Sequence, residues 1–412
     1  MGVEIEDMNV SRYIDTVELK FDVEFVTPCF LGGANGNAEI RVAPFKNLLR
    51  RWWRIANGNL SPEELWKKES RLFGSTEKDP DIVEENKRLP KEKRKPEIFG
   101  KSRVELKIID SNFDFQKTNK LRFPNKMINH PEVKNPMSFE TYLGMGPVFW
   151  NKEKKCSEYK LLPILEFSPA RKEYDSYSRK EITVPERKSS LSFSLTVPAK
   201  SVECFVLILS YITYFGTIGS RSRNGWGSIS IKNVMKNSGE PIELLKIKDI
   251  KEKSVDWLSF FDSCCKKQYP SSMASDEKGL LCWCTPQRNS WEDAMLDAAK
   301  VYSAVRTNFK LSGDNGLHDR HLLGYPITHH EYSGWPVKNT RLPSELYIKI
   351  NLNQGKYRVQ ITHIPNLIPL EGFSANKQKE IWSKVHSFLD NYQLENDKGE
   401  KKNLSRFGGT AK

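Results

Sequence analysis

A basic segment near the N-terminus carries side chains that suit nucleic-acid phosphates. No acidic residue lies between Ile40 and Pro62, whereas five basic residues do: Arg41, Lys46, Arg50, Arg51 and Arg54. Guanidinium and ammonium groups bind phosphate oxygens, and a run without acids keeps the local charge positive. We therefore expect these five side chains to contact the backbone of a nucleic acid.

The same segment predicts an amphipathic helix that starts at Pro44, where the missing N–H of proline costs nothing. At about 100° per residue, one side collects apolar residues and the other the basic ones. Trp52 falls within the apolar stripe and is expected in the core. Trp53 lies at the border, where its ring could stack on a base. The alternative is an ordinary amphipathic helix with a solvated basic face.

A second candidate site is the glycine-rich loop 216–227, GTIGSRSRNGWG. Glycines let backbone N–H groups approach an anion, and arginines add forked donors for phosphate. We expect this loop to cradle phosphates and a base through Gly219, Ser220, Arg221, Arg223 and Trp226. It lacks the Gly-Lys-Ser/Thr of a P-loop and follows a helix, which disfavours nucleotide hydrolysis. The alternative is a tight turn that feeds an edge strand.

Histidines near residue 320 are the main candidates for catalysis. His318, His321, His329 and His330 lie close in sequence to Arg320 and Tyr325. A metal-independent ribonuclease needs a general base near a 2′-hydroxyl and an acid or cation at the leaving oxygen. The spacing specifies no such pair, so phosphate contacts or structural roles are favoured. The dispersed carboxylates also disfavour a metal nuclease.

The seven cysteines predict reduced thiols rather than disulfides, because no secretion signal precedes them. Cys264, Cys265, Cys282 and Cys284 have a CC…CxC spacing that is unusual for zinc. Small buried hydrophobic side chains are the favoured interpretation, and we expect neither a metal nor another cofactor.

Periodicity predicts an α+β fold. Val17–Phe25 alternates as a half-buried strand with a mostly acidic open face, which argues against base stacking on that face. The predicted elements are strands at 17–25, 101–109, 191–197, 228–231, 279–284, 346–352 and 357–364, and helices from Pro44, from Pro62 with Ser61 as its N-cap, and over 203–214, 289–309 and 376–392. This order predicts two ferredoxin-like (RRM-like, βαββαβ) domains with large loop insertions, over 1–250 and 251–412.

Several stretches show no pattern that is typical of a helix or a strand. Residues 77–97 hold seven acids and seven bases and are expected to be exposed or disordered. Residues 154–160 and 171–188 are expected to be loops, and no closing strand is evident in the tail LSRFGGTAK.

Composition favours a polyanionic partner. The chain of 412 residues has a net charge of +13 and a mean hydropathy of −0.59. No apolar run approaches the roughly 20 residues that cross a bilayer. A signal peptide and a myristoylation site are not evident, so we expect a cytoplasmic protein with no membrane partner.

Four motifs together resemble the RAMP proteins of CRISPR systems. They are LGGANGNAEIRVAPFKNLLRRWWR at 31–54, ESRLFGS at 69–75, GTIGSRSRNGWGS at 216–228, and RHLLGYPI at 320–327 with the later Arg341. Within that group they are similar to the first Cmr subunit of type III-B RNA-guided effector complexes.

The resemblance implies two ferredoxin-like domains with a glycine-rich loop between the last helix and last strand of a domain. It also implies a non-catalytic subunit that caps the complex at the crRNA 3′ end and helps to bind guide or target RNA, beside other RAMP subunits. Arg320 and Arg341 are the RNA-binding candidates in the second domain. Some RAMP relatives process CRISPR transcripts as metal-independent endoribonucleases, so that activity is the alternative. A protein-only scaffold is a third class.

Overall fold

The computed structural model describes residues 15–33, 38–112, 126–160, 171–175, 180–184, 190–264, 271–311, 316–327, 332, 334–335, 341–368 and 372–408. Within these residues the fold is mixed α+β. The helices are α1 Val42–Ala56, α2 Pro62–Phe73, α3 Pro80–Lys87, α4 Phe139–Gly144, α5 Val202–Phe215, α6 Ile247–Glu252, α7 Trp257–Cys264, α8 Trp291–Thr307 and α9 Ala375–Asn391.

The strands form two four-stranded sheets and several smaller ones. They are β1 Thr16–Phe25, β2 Ser75–Lys78, β3 Ile98–Gly100, β4 Glu105–Asn112, β5 Met127–Ile128, β6 Met137–Ser138, β7 Val148–Asn151, β8 Cys156–Tyr159, β9 Arg171–Asp175, β10 Lys180–Val184, β11 Ser190–Pro198, β12 Ile229–Lys236, β13 Val255–Asp256, β14 Ala274–Asp276, β15 Gly279–Leu280, β16 Cys282–Cys284, β17 Leu346–Asn353, β18 Lys356–His363, β19 Gln393–Glu395, β20 Lys401–Asn403 and β21 Ser405–Arg406.

The first large sheet has the order β12–β1–β11–β4, and all of its pairs are antiparallel. Along the chain these strands follow one another as β1, α1, β4, β11, α5 and β12. The fourth strand therefore lies beside the first, and the third beside the second. Alternation places Leu19, Phe21 and Val23 in the core, where Phe21 stacks on Phe193 at 5.6 Å between ring centroids.

The second large sheet repeats this arrangement with the order β17–β18–β16–β21, again antiparallel. Its chain order is β16, α8, β17, β18, α9 and β21. The tail therefore supplies a closing strand that sequence patterning missed. It escapes detection because it has two residues and is held by side chains: Arg406 pairs with Asp276 at 3.0 Å and with Asp390 at 2.7 Å.

Helix α5 lies between the two large sheets. On one side Phe205, Ile208 and Leu209 belong to the core of the first sheet, and on the other Tyr214 and Phe215 contact Phe407 next to β21. A helix that is apolar all round must be buried on every side. This position explains why residues 203–214 are almost wholly apolar.

A buried lysine joins the second sheet to the end of α5. Nζ of Lys349 on β17 donates hydrogen bonds to the carbonyl oxygens of Ile212 at 2.9 Å, Thr213 at 2.5 Å and Ile229 at 2.6 Å. The last carbonyls of a helix lack partners within the helix, and a cation near them interacts favourably with the negative end of the helix dipole. Burial lowers the pKa of Lys349 well below its usual range. The three carbonyl acceptors act in the other direction and favour the ammonium form, because they match its three N–H bonds.

Most predicted elements are confirmed, with shifted boundaries. The helix expected from Pro44 starts at Val42, so Pro44 lies in the first turn but not at its first position. The strand expected at 101–109 covers Glu105–Asn112. The capping box of α2 is present, with hydrogen bonds in both directions between Ser61 and Glu64.

The charged segment 77–97 is mostly exposed, as expected, but contains regular structure, and so do the two expected loops. The charged segment 77–97 includes α3 and a 3₁₀ turn at Lys91–Lys93, and Arg71 holds it through ion pairs to Asp79 and Asp81. Residues 154–160 include β8, which pairs with β7, and residues 171–188 include the paired strands β9 and β10. Within 77–97 the charges of Asp79 and Asp81 pair with Arg71, and Asp79 also caps α3, which the composition of the segment does not reveal.

Candidate nucleic-acid interface

The basic side of α1 is partly neutralised by one buried carboxylate. Glu69 on α2 accepts hydrogen bonds from Arg50 and from Arg54, the latter at 2.6 and 2.7 Å. Burial alone raises the pKa of Glu69, but the two guanidinium groups outweigh it and lower the pKa below its usual value. Arg50 and Arg54 are therefore anchored toward α2, which leaves them fewer free donors than predicted.

The two tryptophans expected to stack on bases are both buried. Trp53 is 5% exposed and packs edge-on against Phe73, and Trp226 is 0% exposed between Phe30 and Trp291. The structure contradicts a stacking role for either ring. Trp53 is buried because α2 covers that border of α1, and Trp226 because the glycine-rich loop lies against α8.

The glycine-rich loop packs tightly on the segment that follows β1. Ile218 N–H donates to the carbonyl of Gly227 at 2.8 Å, Gly227 N–H to Pro28 at 2.8 Å, and Ser220 N–H to Phe30 at 2.9 Å. Gly227 has φ +64°, and a Cβ there would lie 1.9 Å from the carbonyl oxygen of Ile218. Only glycine fits this position, so this close packing of the loop requires a glycine here.

The exposed end of the loop is at residues 220–223. Arg221 has a left-handed φ of +56°, and its side chain is exposed. Residues 220–223 form a turn, in which Asn224 N–H donates to the carbonyl oxygen of Arg221 at 2.9 Å. Backbone N–H groups of such a turn, beside arginines, can donate hydrogen bonds to an anion.

Six arginines gather where the two large sheets meet, and we call them the arginine cluster. The part of the chain that forms the first large sheet, which we call the first unit, supplies Arg51, Arg221 and Arg223. The part that forms the second large sheet, the second unit, supplies Arg306, Arg320 and Arg341. Sequence reasoning chose five of these residues, and the fold brings them together from segments separated by up to 290 positions in the sequence.

Two tyrosines hold the cluster in place. The guanidinium carbons of Arg51 and Arg223 lie 4.6 and 4.7 Å from the ring centroid of Tyr347. Arg223 also donates a hydrogen bond to the carbonyl oxygen of Ser344, and burial lowers its pKa. Tyr302 accepts a hydrogen bond from Arg306 at 3.2 Å. Cation–π contacts fix guanidinium groups without neutralising them.

The cluster keeps most of its positive charge. Of the six arginines, only Arg320 forms an ion pair with another described residue, Glu132. Although the side chain of Arg221 is exposed, partial desolvation by its neighbours first, and the nearby charge of Arg341 second, lower its pKa. Arginine charges that lie close together with a single ion pair among them favour the binding of an anion.

The remaining predicted residues lie elsewhere or are accounted for by packing. Arg41 is exposed and donates to the carbonyl of Gly32 at 3.0 Å, and Lys46 is half-buried beside Arg50. Gly219 has φ +93° and packs on Phe30, which explains the glycine without a ligand.

Sequence reasoning missed Arg306, Tyr302 and Tyr347. Tyr302 and Arg306 are four residues apart on α8, a spacing that places them on one helix face. That pattern was readable, but nothing in the sequence places this face opposite residues 221–223.

The histidine candidates form part of an aromatic group. His321 is buried, its ring stacks near that of His318 at 5.8 Å, and its Nδ1 lies 2.9 Å from the backbone N of His318. His329 and His330 lie outside the described residues. Burial of His321 limits its access to a 2′-hydroxyl.

The described residues contain no group of three histidine, cysteine, aspartate or glutamate side chains that could hold a metal ion. Cys282 and Cys284 are buried, and Cys282 accepts a hydrogen bond from Thr362 at 3.3 Å. Cys265 lies outside the described residues, as does the side chain of Cys264. Within the same described part, no helix is long and apolar enough to cross a bilayer.

A buried carboxyl group lies on α4, close to this site. Glu140 is 0% exposed, and hydrogen bonds from its own backbone N–H and from Ser138 offset only part of the cost of burying its charge. Burial first, and the charge of Glu292 to a smaller degree, raise its pKa from an ordinary 4.5 to about 7.

This raised pKa predicts a pH effect on stability. Between about pH 4.5 and 7 the folded chain keeps a proton that the unfolded chain has lost, so the wild type loses stability as the pH rises through this window. Glu140→Gln should therefore be more stable than the wild type by up to about 3 kcal/mol at pH 8, with a gap that closes toward pH 4.5. Urea unfolding across pH measures this gap, and exposed Glu277→Gln is the control. A gap that is independent of pH would contradict the prediction.

Comparison with known proteins identifies the family. A model of the RAMP superfamily matches residues 22–230, which is just over half of the chain. The chain therefore belongs to the RAMP superfamily.

Solved structures and curated sequences were compared as well. The chain is similar to the apo crystal structure of Cmr1 from Pyrococcus furiosus, with 14% identity and a TM-score of 0.40, over 88% of this chain and 96% of that one. It is also similar to a chain of the type III-B Cmr-beta complex bound to cognate target RNA, with 12% identity and a TM-score of 0.40, over 90% and 100%. Comparison with curated protein sequences gives no significant match.

Proposed function

We propose that this protein is a non-catalytic, RNA-binding subunit of a type III-B (Cmr) CRISPR ribonucleoprotein. In this proposal it caps the complex near the crRNA 3′ end, beside other Cmr subunits in the cytoplasm, and helps to bind guide or target RNA. Membership of the RAMP superfamily supports the class of protein. The motifs at 31–54, 69–75, 216–228 and 320–327 support the particular subunit.

The proposal includes two ferredoxin-like domains. Both large sheets place the fourth strand of a βαββαβ unit beside the first, with helices between the first and second and between the third and fourth strands. That arrangement is the ferredoxin-like one, and it supports a division near residue 250.

The proposed function rests mainly on the arginine cluster between these two units. Arg221 and Arg341 are exposed and lie close together, and Arg306 and Arg223 flank the nearby Tyr302. Guanidinium groups match phosphate oxygens with paired hydrogen bonds, and unpaired ones release counterions when a polyanion binds. An RNA backbone that crosses the cluster would contact both units.

Arg221→Ala with Arg341→Ala tests this site, because both side chains are exposed and neither change should disturb folding. We expect a loss of affinity of about 10-fold or more for single-stranded RNA of any sequence. The slope of log K against log salt should become shallower by about 1–2 units. Filter binding or fluorescence anisotropy across a salt series measures both quantities.

A matched control removes the same charge elsewhere. Arg88 and Arg94 are exposed in the charged segment 77–97. Arg88→Ala with Arg94→Ala should leave affinity and slope close to those of the wild type. Equal losses in both double variants would mean that net charge, and not the arginine cluster, binds the RNA.

The non-catalytic part of the proposal needs its own assay. End-labelled single-stranded RNA should stay intact with the protein, with or without EDTA. Discrete cutting that persists in EDTA and disappears in His318→Ala would replace this proposal with a metal-independent endoribonuclease. A protein that neither binds nor cuts RNA would be a scaffold.

A further inference from the structure

Exposed apolar side chains concentrate in one short stretch of the first unit. Of nine large hydrophobic side chains exposed among the described residues, four lie between residues 127 and 149: Met127, Val133, Met145 and Phe149, at 41, 44, 45 and 41% exposure. Scattered exposed hydrophobic residues are normal, but a local concentration marks a contact surface.

This stretch lies directly against the arginine cluster. Nδ2 of Asn224 donates to the carbonyl oxygen of Leu143 at 2.9 Å. A Cβ on Gly146 would lie 3.8 Å from Nη2 of Arg221, so Met145 is next to a residue that faces this guanidinium. The ring of Tyr142 lies 6.2 Å from that of Tyr302.

Met145 and Phe149 are held on a firm base. Leu143, two residues before Met145, and Val148, directly before Phe149, are buried. The strand β7 pairs with β8, and Phe149 lies opposite Glu158. Neighbouring strand residues point to opposite faces, so burial of Val148 turns Phe149 outward. The backbone conformation of this segment therefore exposes the side chains of Met145 and Phe149.

We propose that Met145 and Phe149 form a stacking surface for unpaired bases of single-stranded RNA whose phosphates lie on the arginine cluster. This inference rests on the proposed function and specifies its substrate class. Aromatic and apolar side chains stack on any base, so the surface is tolerant of sequence. In a duplex the bases are already stacked and their faces are out of reach. The unneutralised arginines nearby favour a polyanion over an apolar protein partner.

Single-residue variants test the surface separately from the arginines. Phe149→Ala and Met145→Ala should weaken binding of single-stranded RNA by about 5- to 30-fold each, within the range for losing one stacked base. The salt slope should stay unchanged, because no phosphate contact is removed. Affinity for a duplex of the same sequence should not change, and Phe149→Trp should bind single-stranded RNA as well as the wild type. Ile98→Ala, at an apolar residue on β3 that is 53% exposed, is the control.

A direct readout uses the wild-type protein alone. RNA with 2-aminopurine at successive positions should show a change in fluorescence at one or two positions when it binds, as those bases stack on Phe149. Folded Met145 and Phe149 variants with wild-type affinity, or no fluorescence change at any position, would overturn the proposal and assign the surface to a protein partner. If the proposed function itself is wrong, the wild type will not bind RNA, or the Arg221 and Arg341 double variant will bind it as tightly as the wild type does.

Discussion

Replacing Lys349 with methionine should lower the free energy of unfolding by about 3–5 kcal/mol, because three buried carbonyl oxygens would lose their donor together. Methionine has a similar length and fills the same space, so the loss reports the hydrogen bonds to Ile212, Thr213 and Ile229 and not a cavity. Urea unfolding followed by tryptophan fluorescence measures the change.

Lys356→Met is the matched control, since that lysine is exposed on the neighbouring strand β18. It should change stability by less than about 0.5 kcal/mol. If both variants lose the same amount, the buried amine does not join the second sheet to α5 as the geometry indicates.

Gly227→Ala should be similarly severe, at about 3–5 kcal/mol. The new Cβ would lie 1.9 Å from the carbonyl oxygen of Ile218 and 3.1 Å from Sγ of Cys29, at a φ of +64°. The backbone must move to relieve this contact, and the hydrogen bonds between the loop and Pro28 would weaken. Circular dichroism in urea measures the stability, and RNA affinity should fall as the loop loses its shape.

Gly239→Ala separates the two causes of this loss. Gly239 has φ +83°, but a Cβ there would have no atom within 4 Å. Its cost should be only that of a left-handed alanine, about 1–2 kcal/mol. Equal losses at both glycines would show that the close approach to Ile218 contributes nothing.

The elements of this fold were readable because their signals are local. Alternation identified β1, amphipathic periodicity identified α1, and the length of an almost wholly apolar run identified α5. The strand β21 was not readable because two residues carry no period. The helix α3 within 77–97 was not predicted because ion pairs such as Arg71–Asp79 look the same in sequence as a solvated charge run.

The candidate site was predictable in its chemistry but not in its geometry. Arg51, Arg221 and Arg223 were chosen from basic and glycine-rich motifs, and Arg320 and Arg341 from the family resemblance. The same reasoning failed for Trp53 and Trp226, because whether a tryptophan faces solvent depends on what packs over it, here α2 and α8. Arg306 was missed because its neighbours at the site come from distant parts of the chain.

The position of α5 between the two large sheets bears on any attempt to dissect the chain. A fragment that ends near residue 250 would keep α5 but lose the side chains of Lys349 and Phe407 that cover its far side. Such a fragment would expose a nearly wholly apolar helix and should precipitate when expressed alone, although its own four strands are complete. Co-expressed halves should instead find each other and purify together, since α5 can be covered by the missing half when both are made in the same cell.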